Sequence, residues 1–375
     1  YVKNKKPFLT EVRSQDVLSV SIPDTRSFAG AQRKSFRVWW IAFRYHFVPA
    51  SFLPAILGSV GAWVQTGLMN RWFFFLTVLG VTLNHIALNM TDDYFDYHAA
   101  VDQGGERREN PYTGGSGTLT GGLIKHGHMR LMFTLFYLIT IGIGLYLCAA
   151  QTWWIIVFGL FGVGCSYFYT APPIRYGYRG LGEFSQLINF SFTIGMGAYV
   201  VQTVSFSWEI FWILLPLGFM MFAMIVINEI PDRFDDAAAG KNTLVVRFGL
   251  KAAARFYGVA MMLAYAVILL APPLNMAGYW IYLGLLTLPW SVRAFLIMKA
   301  YGNEPDKLAP ANLLTIRVHN FIGILLIIAC LIQGLQDRQV FQPVVFAAVI
   351  LSAFYLPAAI SIFFKKMPDG RRTEA

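Results

Sequence analysis

The sequence predicts an all-α fold, a polytopic transmembrane bundle of nine to ten helices with cap loops on the cytoplasmic side. Three observations support this prediction. Of the 375 residues, 56% are hydrophobic and only 13% are charged, a balance typical of membrane proteins. Apolar stretches of about 17 to 25 residues, long enough for a helix to cross the hydrocarbon, recur along the chain. Basic residues concentrate in alternate connections, as they do in chains that cross a membrane repeatedly.

We expect ten apolar helices, with bounds taken from hydropathy alone. They cover residues 46–65, 72–92, 129–149, 153–171, 185–204, 208–228, 254–271, 277–297, 312–332 and 341–363. These bounds divide the chain into an N-terminal cytoplasmic arm with an interfacial anchor (1–44), the helical bundle (45–333), and an additional C-terminal helix with a basic tail (334–375). The arm and the additional helix are candidate contacts for a protein partner.

The net charge of +10 is explained by orientation in the lipid bilayer, so nucleic acid is not expected as a partner. When the connections are assigned alternately to two sides, one side holds all 30 Lys and Arg residues except Arg71 and Arg338. Because basic loops tend to stay in the cytoplasm, this side and both termini are expected to be cytoplasmic.

Two acidic clusters interrupt the apolar pattern. The first, NMTDDYFDY over 89–97, ends the second predicted helix, and the second, NEIPDRFDD over 228–236, ends the sixth. Since these helices lie four apart, the repetition indicates two pseudo-repeated four-helix units. A single cluster of this kind is equally well an ordinary solvated loop, but the same pattern at matching positions favours a shared site.

Each cluster places an amide and two carboxylates within an arc of about 60° on one helix face, at about 100° per residue. These residues are Asn89, Asp92 and Asp96 in the first cluster, and Asn228, Asp232 and Asp235 in the second. Asp93 lies to one flank of the first stripe. Pro231 lacks a backbone N–H, so we expect it to end or kink the second helix just after Asn228.

The clusters predict a metal-assisted anion site. A carboxylate near the hydrocarbon costs about 2.5 to 3.5 kcal/mol to insert, so a cation is expected between the two clusters. Carboxylate and amide oxygens suit Mg²⁺, which keeps several waters and often binds substrate phosphates as well. Two acidic clusters that face each other can hold metal ions, and these ions can bind a diphosphate between them.

The connections after the clusters supply positive charge. The first, GGERRENPYTGGSGTLTGGLIK, contains Arg107, Arg108 and Lys125, and its glycines let backbone amides approach phosphate oxygens. The second, AAAGKNTLVVRFG, contains Lys241 and Arg247 as candidates to neutralise a diphosphate leaving group. Taken alone, these segments are also what a flexible or basic cytoplasmic loop looks like.

The two clusters, the segment AGKNTLVVRFG and the segment YTAPPIRYGYRGLGE between them together resemble the UbiA superfamily of membrane prenyltransferases. The closest likeness is to the branch of 1,4-dihydroxy-2-naphthoate prenyltransferases, which show a similar first motif followed by Gly-Gly-Ser-Gly. The resemblance runs from about Arg44 to the ninth predicted helix. The tenth helix and the long N-terminal arm depart from the usual nine-helix pattern.

The resemblance implies a role for each group of residues. It implies a catalytic centre with Mg²⁺ as cofactor, formed by Asn89, Asp92, Asp96, Asn228, Asp232 and Asp236. The implied metal ligands include both members of each ambiguous pair: Asp92, Asp93, Asp96, Asp232, Asp235 and Asp236. The implied diphosphate-binding residues are Lys241, Arg107, Arg108, Arg175, Arg179 and Tyr178. The acceptor pocket is assigned to Arg44, His85 and Tyr169.

The resemblance also implies the reaction. An isoprenyl group would move from an allylic polyprenyl diphosphate donor, through an allylic cation, to a small aromatic acceptor such as 1,4-dihydroxy-2-naphthoate. Alternatives within the superfamily are prenylation of a 4-hydroxybenzoate-type or chlorophyll-type acceptor, and terpene cyclisation. An ion-coupled transporter is the alternative from another class, and it would place acidic residues near the bilayer midplane.

Overall fold

The computed structural model describes residues 35–99, 101, 110, 112–304 and 307–337, and every regular element among them is a helix. We number ten helices in chain order. They are α1 (Ser35–Ala42), α2 (Pro49–Thr66), α3 (Arg71–His98), α4 (His126–Ala150), α5 (Ile155–Phe168), α6 (Gly182–Thr203), α7 (Trp208–Ala238), α8 (Leu244–Leu270), α9 (Tyr279–Tyr301) and α10 (Ala309–Asp337). The predicted all-α fold is confirmed for this part of the chain.

Seven of these described helices are long and apolar enough to cross a membrane, namely α3, α4 and α6 to α10. The shorter α2 and α5 complete the series, so predicted helices one to nine correspond to α2 to α10. The predicted tenth helix, 341–363, and most of the N-terminal arm lie outside the described residues. The three-part division of the chain therefore stays a prediction.

Polar caps start the helices that carry the clusters. Asn70 begins α3, where its side-chain Oδ1 accepts hydrogen bonds from the backbone N–H groups of Trp72 and Phe73 at 3.0 and 3.1 Å. Ser207 begins α7 in the same way, and its Oγ accepts from the N–H of Ile210 at 3.3 Å. Each cap satisfies donors that have no partner within the helix. The caps set where α3 and α7 begin, at the ends opposite their acidic clusters.

The helices close into a ring. Consecutive helices from α2 to α10 contact one another, and α10 also packs against α2. The outer side of α4 exposes Leu131, Leu138 and Leu145, as expected for a helix that faces lipid. In contrast, α7 is the most enclosed of the membrane-capable helices. The ring therefore brings the far ends of α3 and α7 toward a common interior.

Pro231 does not end α7, which continues to Ala238. The prediction that the helix stops or kinks just after Asn228 was wrong about the stop. Proline at 231 leaves the carbonyl of Ile227 without its helical partner, and the side chain of Asn312 on α10 donates to that carbonyl at 3.1 Å. Neighbouring helices commonly satisfy such freed groups in membrane proteins. The second acidic cluster is thus helical throughout.

A π-helical segment, Asn189–Met196, interrupts α6 where it passes the bundle interior. Its neighbour α2 approaches very closely, since a Cβ atom at position 58 would overlap the backbone carbonyl of Gly195. Isolated π-segments occur frequently at functional sites. This segment brings Asn189 and Phe190 to the interior of the ring.

Candidate active site

Both acidic clusters open into one cavity of about 130 Å³ between α3 and α7. The lining includes the amide and carboxylate residues Asn89, Asp92, Asp96, Asn228, Asp232 and Asp236. Two cationic residues, Arg44 and Lys241, line the same space. Clusters that are more than 130 residues apart in sequence therefore form a single polar surface.

The α3 cluster is held by side chains from three other parts of the chain. Asp96 accepts a hydrogen bond from the Tyr178 hydroxyl at 2.6 Å and another from Lys241 Nζ at 2.8 Å. Asp92 forms a longer ion pair, 3.5 Å, with Arg44. The amide of Asn89 donates to the backbone carbonyl of Phe43 at 3.1 Å. The cluster is thus positioned by charge-assisted contacts on two of its carboxylates.

Neutral donors from the glycine-rich loop and from α10 contact Asp232 and Asn228 of the α7 cluster. Asp232 Oδ2 accepts a hydrogen bond from the backbone N–H of Gly114 at 2.7 Å. The Asn312 amide donates to Asn228 Oδ1 at 2.7 Å, and Asn312 itself accepts from the Asn110 amide at 3.0 Å. These contacts orient Asn228 and Asp232 toward the cavity that both of them line.

Lys241 joins the two clusters. Its Nζ lies 2.8 Å from Asp96 and 3.9 Å from Asp236, and its backbone N–H donates to the carbonyl of Asp236. Burial acts to lower the pKa of Lys241, but the nearby carboxyl groups of Asp96, Asp236 and Asp92 outweigh it and hold that pKa well above its ordinary value. The side chain therefore stays cationic at every physiological pH.

The loop between α5 and α6 covers the α3 cluster. Burial, together with the neighbouring Asp96, raises the pKa of Tyr178, so its hydroxyl stays protonated and donates. The ring of Tyr178 also lies 5.5 Å from Lys241 Nζ and 5.6 Å from the Arg175 guanidinium, within range of cation–π attraction. Arg179 is exposed and contacts the carbonyl of Pro173. Neither arginine lines the cavity.

The other side of the cavity is apolar and aromatic. It includes Phe47, Phe190, Met221, Met224 and Ile225. The three residues assigned to the acceptor pocket, Arg44, His85 and Tyr169, also line the cavity. The His85 ring packs edge-on against Phe190, with 5.4 Å between centroids. The cavity thus has a charged end and a hydrophobic end, which suits an amphipathic ligand.

Several residues of the sequence prediction lie elsewhere. Asp93 is buried beside the cavity, where its carboxylate accepts from the N–H of Ser116 at 3.0 Å. Asp235 is exposed on the outer side of α7. The cavity is lined by Asn228, Asp232 and Asp236. Asp235 shares a helix face with Asn228 and Asp232 by the periodicity of α7, but the cavity opens on the flank that carries Asp236. Arg107 and Arg108 lie outside the described residues.

Mg²⁺ fits the donor set at the charged end. Among the described residues, no three His, Cys, Asp or Glu side chains are already grouped to hold one ion. Such a group is not needed, because Mg²⁺ typically takes one or two carboxylates and completes its shell with water and phosphate oxygens. Asp92 Oδ1 is buried and has no hydrogen-bond partner in the described part of the chain. A residue that lines the cavity therefore has a carboxylate oxygen that no described residue occupies.

Sequence reasoning missed the residues that position the clusters. Asn312 and Gly114 act through contacts across more than 80 residues of sequence, which spacing alone does not reveal. Glu183, fully buried, accepts from the N–H of Leu244 at the start of α8. Glu229 and Gln186 also line the cavity. A polar residue within an apolar helix, as Asn312 is, was the one available signal.

Comparison with known proteins identifies relatives over most of the chain. The sequence profile of the UbiA prenyltransferase family matches residues 51–316. A 1,4-dihydroxy-2-naphthoate octaprenyltransferase from Bacillus subtilis is 26% identical, with 79% of this chain and 93% of that protein covered. A 2-carboxy-1,4-naphthoquinone phytyltransferase from Synechocystis is 25% identical, with 82% and 97% covered.

Solved structures share the fold. An apo UbiA homolog from Aeropyrum pernix K1 superposes with a TM-score of 0.53 at 15% identity, covering 74% of this chain and 97% of that one. A UbiA homolog from Archaeoglobus fulgidus bound to GPP and Mg²⁺ gives 0.50 at 13% identity, covering 77% and 99%. The helical fold of this chain is therefore the fold of these solved proteins.

Proposed function

Because the chain belongs to the UbiA prenyltransferase family, we propose that it moves an isoprenyl group from an allylic polyprenyl diphosphate to a hydroxylated bicyclic aromatic acceptor, in a reaction that requires Mg²⁺. Family membership and seven membrane-capable helices among the described residues make the protein an integral membrane enzyme. The ion-coupled transporter considered from the sequence is therefore set aside.

The observation that carries this proposal is the meeting of both acidic clusters with Lys241 at one cavity. A diphosphate is strongly anionic, so carboxylates can share a site with it only through cations. The cavity carboxylates would hold Mg²⁺, which when bound neutralises charge on a diphosphate leaving group. The A. fulgidus homolog, solved with GPP and Mg²⁺, supports this assignment.

The residues of the charged end have distinct tasks in bond cleavage. As the carbon–oxygen bond of the donor breaks, negative charge grows on the diphosphate. Lys241, kept cationic and fixed by Asp96, is positioned to stabilise that charge. Tyr178 holds Asp96 in place from the other side. We assign Lys241 as a diphosphate-binding residue and Tyr178 as a positioning residue.

The residues of the hydrophobic end protect the allylic cation. Phe47 and Phe190 line this end with three aliphatic side chains, which exclude water that would otherwise capture the cation. Aromatic faces also attract a cation directly. An electron-rich ring carbon of the acceptor would attack the cation, and loss of a proton would restore aromaticity.

The volume of the cavity and the names of two relatives support a proposal for the acceptor and for the position of the isoprenoid tail. The cavity of about 130 Å³ has room for roughly ten water molecules, enough for a diphosphate or a ring but not for a long isoprenoid chain. The tail would therefore lie between helices and reach the bilayer. The names of the two relatives share a naphthalene-derived acceptor and differ in the prenyl group, which supports an acceptor of the 1,4-dihydroxy-2-naphthoate type.

We also propose that this cavity and both termini face the cytoplasm. Both clusters lie at the same end of the bundle, at the C-terminal ends of α3 and α7. The basic loops next to them follow the distribution expected for cytoplasmic connections. Reaction of a single cysteine at Ser116 with a membrane-impermeant reagent, in inside-out vesicles but not right-side-out ones, would support this orientation.

The test is a transfer assay with purified protein in lipid nanodiscs. Labelled polyprenyl diphosphates of several lengths are offered with 1,4-dihydroxy-2-naphthoate, 4-hydroxybenzoate or no acceptor, and products are identified by mass spectrometry. We expect a prenylated product of 1,4-dihydroxy-2-naphthoate, whose formation stops with EDTA and resumes with added Mg²⁺. A cyclic hydrocarbon formed without acceptor would instead indicate a terpene cyclase. No Mg²⁺-dependent product with any acceptor would contradict the proposal.

A further inference from the structure

A second, smaller cavity lies deeper in the bundle, between α2, α3, α5 and α6. We call it the inner cavity, and its polar residues are Ser51, Asn84, His85, Ser166, Gln186 and Asn189. It shares His85, Gln186 and Phe190 with the active-site cavity, so the two spaces adjoin. Asn84 lies eight residues before Asp92, or about 12 Å along α3 from the charged end.

The orientation of the Asn84 amide follows from its hydrogen bonds. The Ser166 hydroxyl donates to the carbonyl of Gly162 at 2.8 Å, so its oxygen can only accept from Asn84. The nitrogen Nδ2 of Asn84 therefore faces Ser166, at 2.7 Å, and Oδ1 faces the other way. That oxygen is buried and has no hydrogen-bond partner among the described residues.

His85 presents a second polar atom with no partner. The residue is only 5% exposed, and its Nδ1 makes no hydrogen bond within the described part of the chain. The edge-on contact with Phe190 fixes the ring. A buried polar atom left unpaired costs about 1 to 3 kcal/mol, so two such atoms on residues that line this cavity are suited to a polar group bound there.

The π-segment of α6 supports a binding role for the inner cavity. Asn189 and Phe190, its first two residues, line the cavity together with Ile194. The widened turn carries these side chains into the interior at a point where regular helix would place them differently. The cavity thus combines unpaired polar atoms on α3 with an irregular backbone on α6.

The size of the inner cavity and the charge of its lining residues restrict the chemical group that it can bind. The inner cavity measures about 30 Å³, room for two or three water molecules by the same measure, and therefore admits one substituent but not a ring. None of the described residues that line it is Lys or Arg, so an anionic carboxylate would lack a cationic partner. The unpaired Asn84 oxygen is an acceptor and requires a donor. A neutral hydroxyl meets all three conditions.

We propose that the inner cavity binds one phenolic hydroxyl of the aromatic acceptor, which donates its hydrogen bond to Asn84 Oδ1. This inference rests on the proposed function. A ring anchored in this way lies in the active-site cavity, where Arg44 can contact a carboxylate on the ring while Lys241, the other cation that lines the cavity, is assigned to the diphosphate. Fixing one hydroxyl determines which ring carbon faces the allylic donor, so Asn84 is a specificity-determining residue.

The experiment compares acceptors in the wild-type protein and in Asn84→Leu, which keeps the side-chain shape but removes both polar atoms. The acceptors are 1,4-dihydroxy-2-naphthoate and its two monomethyl ethers, each blocking one hydroxyl. In the wild type we expect one ether to lose about 10- to 100-fold in kcat/KM relative to the other. In Asn84→Leu this difference should shrink to less than about 3-fold, while the KM of the diphosphate donor stays unchanged.

Two further variants keep the test interpretable. Ser166→Ala removes the hydrogen-bond partner of Asn84 Nδ2 but leaves Asn84 Oδ1 in place. It should partially reduce the difference in kcat/KM between the two ethers, and it provides a test even if Asn84→Leu fails to fold. Thr77→Val removes another buried hydroxyl from α3, one that bonds within the helix to Phe73 at 2.7 Å, and should leave the discrimination intact.

The outcomes separate this inference from the proposed function. If the wild type transfers prenyl groups but Asn84→Leu and Ser166→Ala discriminate between the ethers as the wild type does, the inner cavity does not bind the hydroxyl. Equal rates for both ethers in the wild type would overturn the inference in the same way. If the wild type transfers to no acceptor at all, the proposed function itself fails.

Discussion

The two acidic clusters end counterpart helices, yet the protein holds them differently. The α3 cluster is held by charged and hydroxyl side chains, with Lys241 and Tyr178 on Asp96. In the α7 cluster, a backbone amide donates to Asp232 and a carboxamide on α10 donates to Asn228, while Asp236 lies farther from Lys241, at 3.9 Å. A repeated sequence pattern has therefore not produced repeated contacts. Lys241 contacts both clusters, but Asp92 and Asp96 pair with cationic side chains at 3.5 and 2.8 Å, whereas Asn228 and Asp232 accept hydrogen bonds from neutral donors.

The largest expected effect is the loss of activity when a carboxylate that lines the cavity is replaced. A carboxylate of the same cluster that does not line the cavity serves as the comparison. Asp232→Asn should lower kcat/KM by about 10²- to 10³-fold, because it removes a charge needed to hold a metal diphosphate. Asp235→Asn, on the exposed side of α7, is the matched control and should change it less than about 3-fold. Steady-state kinetics at several Mg²⁺ concentrations measure both. Equal losses in the two variants would contradict the assignment of faces on α7.

Removing the cation between the clusters should have the next largest effect. Lys241→Met leaves Asp96 and Asp236 without their shared partner, so we expect about 100-fold lower kcat/KM. Breaking a buried ion pair by deleting one partner also costs roughly 3 to 5 kcal/mol of stability. Thermal unfolding in detergent measures that loss. Lys251→Met, an exposed lysine on α8, should behave as wild type, and a fully active Lys241→Met would refute the role of the cation.

The neutral donors of the α7 side should matter less but measurably. Asn312→Leu removes the hydrogen bonds to Asn228 and to the carbonyl freed by Pro231, which should cost about 2 to 3 kcal/mol of stability and about 10-fold in kcat/KM. The same substitution at Asn320, two turns further along α10, is the control. If Asn312→Leu were as stable and active as that control, the anchoring of α7 by α10 would be wrong.

The smallest effect is expected from one hydroxyl. Tyr178→Phe removes the 2.6 Å hydrogen bond to Asp96 but leaves Lys241 in place, so kcat/KM should fall about 5-fold, mostly through KM for the diphosphate. Tyr176→Phe deletes a hydroxyl that bonds to the Cys165 carbonyl instead. That control should alter stability without altering the diphosphate KM. A change in diphosphate KM of the same size in both variants would argue against a specific role for Tyr178.

Hydropathy and periodicity were sufficient to predict the helical bundle and the two clusters. They placed the ends of helices at the first charges, however, and so stopped α3 at 92 and α7 at 228, whereas the helices continue to His98 and Ala238. Hydropathy follows the hydrocarbon boundary, while the backbone hydrogen bonds that define a helix continue beyond it. The extra turns are those that carry Asp96 and Asp236 to the cavity.

The choice between Asp235 and Asp236 shows why the site was only partly predictable. In a continuous helix Asp235 and Asp236 lie on opposite flanks of Asn228 and Asp232, at about 100° per residue, so the choice depended on which flank the bundle turns toward the cavity. Asn312, 81 residues after Pro231, likewise satisfies the carbonyl that the proline frees, a long-range contact that local sequence does not reveal. The contact of Gly114 with Asp232 is of the same kind. Local pattern indicated which residue types form the site, but tertiary contacts determined which of two neighbours faces it.

The central claim is that two unequally held clusters form one site for a metal diphosphate. Its most direct test is calorimetric binding of a non-hydrolysable allylic diphosphate analogue to the protein in nanodiscs, with and without Mg²⁺, for the wild type, Asp92→Asn and Asp232→Asn. We predict binding that requires Mg²⁺ and weakens at least 10-fold when either cluster is altered. Mg²⁺-dependent binding at wild-type affinity in either variant would contradict a shared site.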